Sequence, residues 1–256
     1  MASDTISRVK TTETSFEIVN ALLRSDGARI DELAERLDLT SSTIHRHLST
    51  LREYGYVARD GDVYRVGFQF LTIGGQLRRQ LPAYSSIKRK VDHLAEQTDE
   101  RAQFIVEENG ERVYVYTSTG ENSVYTGAAT GGRAPIHSSA AGKAILATLP
   151  PYRRRRLVDS LPLERTGPNT ITDRDRLREE LREIRARGYA FNLEESTAGV
   201  NAMGAAIHRP DGTVIGALSV SGPATRLKDE PFEEQLPDLV LAATNEIELQ
   251  IKYSVA

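Results

Sequence analysis

Ser41-Ser42-Thr43-Ile44-His45-Arg46-His47-Leu48-Ser49-Thr50-Leu51 sets Ile44, Leu48 and Leu51 four and three residues apart, the spacing that gathers them on one side of a helix. Ser42, Thr43, His45, Arg46 and Ser49 fall on the other faces, so the stretch reads as a helix with a buried seam and a polar exterior. Upstream, Ile30, Leu33, Ala34 and Leu37 make a second stripe with Asp31 as its expected cap, and Asp38-Leu39-Thr40 leaves room only for a tight turn between the two helices. Earlier still, Thr14 and Glu17 carry a capping-box pattern, and Phe16, Val19, Leu22 and Leu23 continue it as a helix that stops at Ser25-Asp26-Gly27. Downstream, Val57-Ala58-Arg59 and Val63-Tyr64-Arg65-Val66 flank Asp60-Gly61-Asp62, a strong hairpin signal. After Gly67 a connecting helix is predicted over 68–80, apolar at Phe70, Leu71 and Leu77, with a domain boundary near residue 81.

Helix, turn, polar-faced helix and hairpin is the order of a winged helix-turn-helix, in which the third helix enters the major groove of DNA and the wing meets the backbone. Hydroxyls at Ser41, Ser42 and Thr43 suit phosphate at a helix N-terminus. Arg46 can pair with guanine, and His45 can reach a base or a phosphate. Ser49 and Arg52 extend that surface, while Arg59 and Arg65 have to offset Asp60 and Asp62 for the wing to approach DNA. The pattern alone also admits a small three-helix bundle that binds protein.

Bulk charge argues mildly against nucleic acid, since 256 residues carry a formal net charge of −3 and residues 1–80 balance eleven basic against eleven acidic side chains. A DNA-binding face must therefore come from local placement, and between Thr40 and Arg59 three arginines oppose only Glu53. The chain has no cysteine, which rules out disulfides, thiolate metal sites and cysteine nucleophiles and fits a cytoplasmic location. Five histidines, at 45, 47, 93, 137 and 208, show no metal spacing, so neither metal nor cofactor is expected. No apolar run approaches the roughly 18 residues of a membrane span, and residues 1–10 lack the apolar segment of a leader.

From Pro82 the pattern turns mixed. Ile87, Val91, Leu94 and Ala95 predict a helix; runs around 104–106 and 113–115 flank Asn109-Gly110, and runs over 205–209 and 214–219 flank Asp211-Gly212. Helices are predicted over 173–187, ending at Gly188, and over 236–252, while Arg153 to Arg156 read as the solvated side of a short helix after Pro150-Pro151. Hairpins separated by helices indicate an α+β domain with a mostly antiparallel sheet.

His137 to Ala144 invites an enzyme reading, with a histidine, two serines and Gly142-Lys143, but it fails two tests. A phosphate loop needs glycine where the chain has His137 and a hydroxyl where it has Ala144. Around Ser219 and Ser221 the glycine pattern of a serine hydrolase is missing as well. Two readings of the small residues at 140–142 stay open: a helix start whose N–H groups hold a carboxylate, or a helix that packs closely on a sheet.

The chain from 14 to 256 resembles the IclR (isocitrate lyase regulator) family of transcription factors. The resemblance rests on Asp31-Glu32-Leu33-Ala34, Ser42-Thr43-Ile44-His45-Arg46-His47-Leu48, Leu51-Arg52-Glu53-Tyr54-Gly55-Tyr56-Val57 and Tyr64-Arg65-Val66-Gly67. It continues through Pro135-Ile136-His137-Ser138-Ser139-Ala140-Ala141-Gly142-Lys143-Ala144, Ile184-Arg185-Ala186-Arg187-Gly188-Tyr189-Ala190, Glu194-Glu195 and Ser219-Val220-Ser221-Gly222-Pro223. It implies a winged helix-turn-helix with its linker helix over 1–80 and, over 81–256, an effector-binding domain built on a GAF-like antiparallel sheet with flanking helices. Its expected partners are double-stranded operator DNA, a small carboxylate effector and a second copy of the chain, as a homodimer or a dimer of dimers. Carried over by position, the effector site comprises Ala140, Ala141, Gly142, Asn192, Ala202, Ser219 and Ser221. The competing functions are a sensory or scaffold protein without DNA binding and an enzyme using the C-terminal pocket.

Overall fold

The computed structural model describes residues 8–121, 123, 129–229 and 231–253. The chain divides into two compact units, Met1–Gln80 and Leu81–Ala256.

In the first unit, α1 (Lys10–Arg24), α2 (Ile30–Leu37) and α3 (Ser41–Glu53) close over Ile18, Ala21, Leu22, Leu33, Ile44 and Leu48. The hairpin of β1 (Val57–Asp60) and β2 (Val63–Val66) adds Val57 and Tyr64 to the same core. Asp60 pairs with Val63, which leaves Gly61-Asp62 as a two-residue turn, and Gly61 takes the positive φ of +58° that such a turn requires. A bridge between Ala28 and Tyr64 ties the hairpin to the helices.

Two helix starts differ from expectation. α1 begins at Lys10, so Thr14 is not a cap but a buried side chain whose Oγ1 donates to the Lys10 carbonyl at 3.1 Å. The buried seam runs through Thr14, Ile18, Ala21 and Leu22, and Phe16 and Leu23 are 59% and 68% exposed. At α2 it is Glu32, not Asp31, that closes the end, accepting the Arg29 N–H at 2.7 Å. α3 starts where expected, with Thr40 Oγ1 accepting the Thr43 N–H at 3.2 Å. The connecting helix α4 (Gln69–Gln80) buries none of its residues, leaving Leu71, Ile73 and Leu77 exposed.

The second unit is built on a six-stranded, wholly antiparallel sheet in the order β5-β4-β3-β8-β7-β6. Its strands are β3 (Arg101–Glu108), β4 (Glu111–Thr119), β5 (Arg133–Pro135), β6 (Ala190–Leu193), β7 (Val200–His208) and β8 (Val214–Pro223). One face packs Phe104, Met203, Ala205, Leu218 and Val220 against α5 (Tyr84–Thr98) and α9 (Leu236–Tyr253), the latter preceded by a π-helical turn, Pro231–Gln235. The other face packs Ile105, Tyr114, Ala206 and Ala217 against α6 (Ala140–Thr148), α7 (Pro151–Ser160) and α8 (Arg174–Arg187). α8 has the expected ends, with Asp173 capping and Gly188 left-handed. β7 and β8 run longer than the sequence suggests, because Asn201 and Ser221 belong to strands that the apolar pattern does not mark there.

α6 lies against β7 with almost no clearance. A Cβ on Gly204 would stand 2.7 Å from the Ala141 nitrogen, and one on Gly142 would collide with the Ile136 carbonyl oxygen. No described helix is long and apolar enough to cross a membrane.

Candidate nucleic-acid interface and ligand cavity

On α3, Ser42, Arg46 and Ser49 stand at i, i+4 and i+7, which places them on one face, and all three are exposed. His45 and Arg52 are exposed on the flank of that face. Thr43 is half-buried and belongs to the cap, its Oγ1 2.9 Å from Thr40 Oγ1, with Ser42 Oγ 3.0 Å from the same atom. Thr40 thus satisfies the Thr43 N–H, and Ser41 and Ser42 keep the first two backbone N–H groups of the helix end, which have no intrahelical acceptor. His47 turns inward, its Nδ1 2.9 Å from Ser15 Oγ on α1.

The wing arginines are engaged inside their own unit. Arg59 donates from Nε to the Gly61 carbonyl at 2.7 Å, pairs with Asp62 at 3.3 Å, and lies 5.4 Å from the Tyr64 ring centroid. Arg65 pairs with Asp26 at 3.2 Å and also donates to the Asp26 carbonyl. These are solvent-exposed pairs, which contribute little and exchange readily for a phosphate.

In the second unit a cavity of about 260 Å³ opens on the sheet face that carries α6. Five of the seven expected effector residues line it: Ala140, Asn192, Ala202, Ser219 and Ser221. Ser219 and Ser221 share a strand face, as alternate residues do, and lie beside Gly204 and Ala202 of β7 in the ladder. Ser219 Oγ donates to the Met203 carbonyl at 2.9 Å, while Ser221 Oγ accepts from Gln103 Nε2 at 2.6 Å. Asn192 is held from both ends, donating to the Ser138 carbonyl at 2.9 Å and accepting the Glu195 N–H at 2.8 Å.

Ala141 and Gly142 lie outside the lining of this cavity. Ala141 is fully buried against Gly204, and the Gly142 N–H is already taken by Ser139 Oγ at 3.0 Å. At these two positions the small side chains serve close packing of helix on sheet. Lys143, the other half of the apparent phosphate-loop pair, is buried and bonds Glu195 at 2.5 Å and Glu180 at 3.1 Å. Burial nevertheless pushes the Glu195 carboxyl above its ordinary value, against the opposing pull of Lys143.

Sequence reading missed part of the lining: Gln103, Arg112, Tyr114, Ser196 and Thr197. Arg112 is only 7% exposed, and one of its guanidinium nitrogens, Nη2, donates to Ser196 Oγ at 2.8 Å. Its Nε and Nη1 are buried and have no hydrogen-bond partner among the described residues. Burial pushes this guanidinium below its ordinary value. Next to it His137 is fully buried; its Nε2 lies 3.2 Å from the Glu164 carbonyl, which places the proton on Nε2, and burial with the nearby Arg112 charge lowers its pKa. The available signal for Arg112 was its position two residues before Tyr114 on a predicted strand.

Residues 12–61 match the model of the IclR helix-turn-helix domain, and residues 78–249 match that of the bacterial transcriptional regulator IclR C-terminal region. A probable HTH-type transcriptional regulator, ArcR, of Halobacterium salinarum is 36% identical over 249 residues, covering 96% of this chain and 95% of the relative. The crystal structure of the Thermotoga maritima IclR superimposes with a TM-score of 0.84 at 27% identity, covering 96% of this chain and all of that one. An IclR homolog from Microbacterium hydrocarbonoxydans, solved in complex with 4-hydroxybenzoate, superimposes with a TM-score of 0.78 at 25% identity, covering 93% and 99% of the two chains.

Proposed function

The chain belongs to the IclR family of transcriptional regulators, and from that premise we propose that α3 reads an operator while a small organic acid, held in the cavity of the second unit, controls its occupancy. The observation that carries this reading is the cavity itself. Ala140, Asn192, Ala202, Ser219 and Ser221, far apart in sequence, meet around one void large enough for a small organic molecule. The aromatic acid bound by the Microbacterium hydrocarbonoxydans homolog supports a carboxylate as the ligand class. Domains serving those two roles correspond to residues 1–80 and 81–256.

On the DNA side, Arg46 with Ser42 and Ser49 forms the centre of the reading face, flanked by His45 and Arg52. The N–H groups of Ser41 and Ser42, with the hydroxyls of Ser41, Ser42 and Thr43, meet a phosphate, and Arg59 and Arg65 give up their exposed pairs to contact the backbone. Two copies act together as a homodimer through the first unit, a reading supported by the exposed Phe16, Leu23, Phe68, Leu71, Ile73 and Leu77. The protein regulates and does not catalyse. Its cavity serines are bonded to a carbonyl and an amide and not to a general base.

A gel shift on the DNA beside the chain's own gene, with and without 4-hydroxybenzoate and related acids, tests the reading. Retarded DNA whose midpoint moves with an acid is expected. Absence of retardation, or retardation indifferent to every acid that binds the protein, counts against it. Light scattering with operator present is expected to show two or four copies per complex.

A further inference from the structure

We propose that Arg112 is the residue that reads the effector's negative charge, and that it makes the cavity selective for a single carboxylate; this rests on the reading of the cavity as the effector site. A guanidinium taken out of water without an anionic partner is among the most expensive groups a fold can bury, and it is retained only where something compensates it. Arg112 is 7% exposed, it stands in the cavity wall, and its Nε and Nη1 have no partner among the described residues. Its described side-chain partners, Ser196 Oγ and the Tyr114 side chain, are both neutral, and the Tyr114 ring, 5.7 Å away, supplies a polarisable face but no charge.

Among the described lining residues no side chain carries a negative charge. The other lining cation, Arg133, is paired with Glu108 and Glu111 on the outer part of the sheet. His137, beside Arg112, is held neutral by burial and by the same charge, so it adds no second positive charge. The lining therefore carries one uncompensated positive charge, which one carboxylate balances and two would overfill.

Arginine suits the task because its planar fork meets both carboxylate oxygens, Nη1 together with the second hydrogen of Nη2. Those nitrogens are closed off from solvent, so a rotation of the side chain into the void is part of binding. This places the anchor on β4, across the cavity from the start of α6, whose Gly142 N–H is spent on its own cap. Ser221, already accepting from Gln103, keeps its own hydroxyl hydrogen for an acceptor at the ligand's other end.

The test is titration calorimetry on the full chain with acetate, lactate, benzoate and phenylacetate, with succinate and glutarate as dianions, and with benzamide and phenylacetamide as neutral isosteres. At least one monocarboxylate is expected to bind, its amide to bind at least tenfold more weakly, and the dianions to bind more weakly than the best monoanion. Arg112→Gln is expected to weaken that monocarboxylate at least tenfold, and Arg112→Lys less than Arg112→Gln. Because Gln removes an unneutralised charge, the ligand-free melting temperature of Arg112→Gln is expected to hold or rise. Ala202→Leu, which fills the void, separates the two levels of the claim. If a monocarboxylate binds the parent, is lost in Ala202→Leu and binds Arg112→Gln within twofold, the cavity reading stands and the role of Arg112 is overturned. If it binds Ala202→Leu as well as the parent, the cavity reading itself falls. Failure of every acid to bind the parent, or a lowered ligand-free melting temperature in Arg112→Gln that tracks its loss of binding, overturns the inference.

Discussion

Arg46 on α3 and Arg112 on β4 carry the same guanidinium into opposite surroundings. Arg46 stands exposed on the helix exterior, where solvent reaches its donors. Arg112 is sealed in the wall of a cavity with two nitrogens unmatched among the described residues. The contrast separates two ways of keeping a recognition group ready. On α3 the surface waits in solvent, and affinity must come from displacing water and counterions at a charged partner. In the cavity the fold carries a standing penalty that the right ligand removes, so stability and binding are coupled at one residue.

The sharpest way to break that comparison is to disturb the cores beneath each region. Leu48→Ala removes a fully buried side chain directly under the reading face and is expected to destabilise the first unit by about 2–5 kcal/mol, measured by chemical denaturation followed by circular dichroism. DNA binding should fall with it. An unchanged denaturation midpoint would mean that the polar face does not depend on the seam behind it.

Next is the contact of α6 with the sheet. Gly142→Ala would drive a methyl group into the Ile136 carbonyl and lose about 1–3 kcal/mol in the second unit, and protection of its amides in hydrogen exchange should drop around α6 and β7. A neutral result would return position 142 to the list of candidate ligand contacts.

Arg46→Ala should weaken operator binding by about 1–3 kcal/mol per half-site if it pairs with guanine, with no change in melting temperature. A salt titration sharpens this: a phosphate role flattens the slope on every sequence, a base role changes preference at one position. Binding unaltered on operator and random DNA alike removes Arg46 from the interface.

The smallest effect concerns His137. Its folded pKa lies below that of the unfolded chain, so the unfolded state takes up the proton first. This contribution to stability is whole above the unfolded value of about 6.5 and is lost as pH falls from there through the folded value. His137→Gln should therefore show a shallower loss of stability between about pH 7 and pH 5 than the parent. Equal slopes would show that the imidazole does not report its burial.

Local spacing carried most of the first unit. Ile44 and Leu48, the Asp60-Gly61-Asp62 turn and the α3 start depend on residues within a few positions of one another, and the structure has them as expected. The start of α1 was misjudged because Lys10 to Glu13 are polar and leave no periodic trace, while Thr14 and Glu17 imitate a cap from inside the helix. The cavity was less legible for a different reason. Ser219 and Ser221 could be placed on one face by alternation, but which face, and what lies opposite, is decided by the pairing of β8 with β3 and β7. Arg112 shows this most clearly: in a half-buried strand a charged residue reads as outward, and only the position of α6 and of Ser196 closes it in. Ala141 and Gly142 carried no signal that could separate close packing from ligand contact.

The two edges of the six-stranded sheet are its shortest strands, three residues in β5 and four in β6, while β3, β4, β7 and β8 run to eight or more. An edge that brief offers an incoming chain few unpaired backbone groups to copy, so the sheet makes a poor template for addition of another strand. Self-association of the second unit, where it occurs, is thereby steered toward contacts between side chains, whose composition selection can adjust, and away from the indiscriminate main-chain pairing that leads to aggregates.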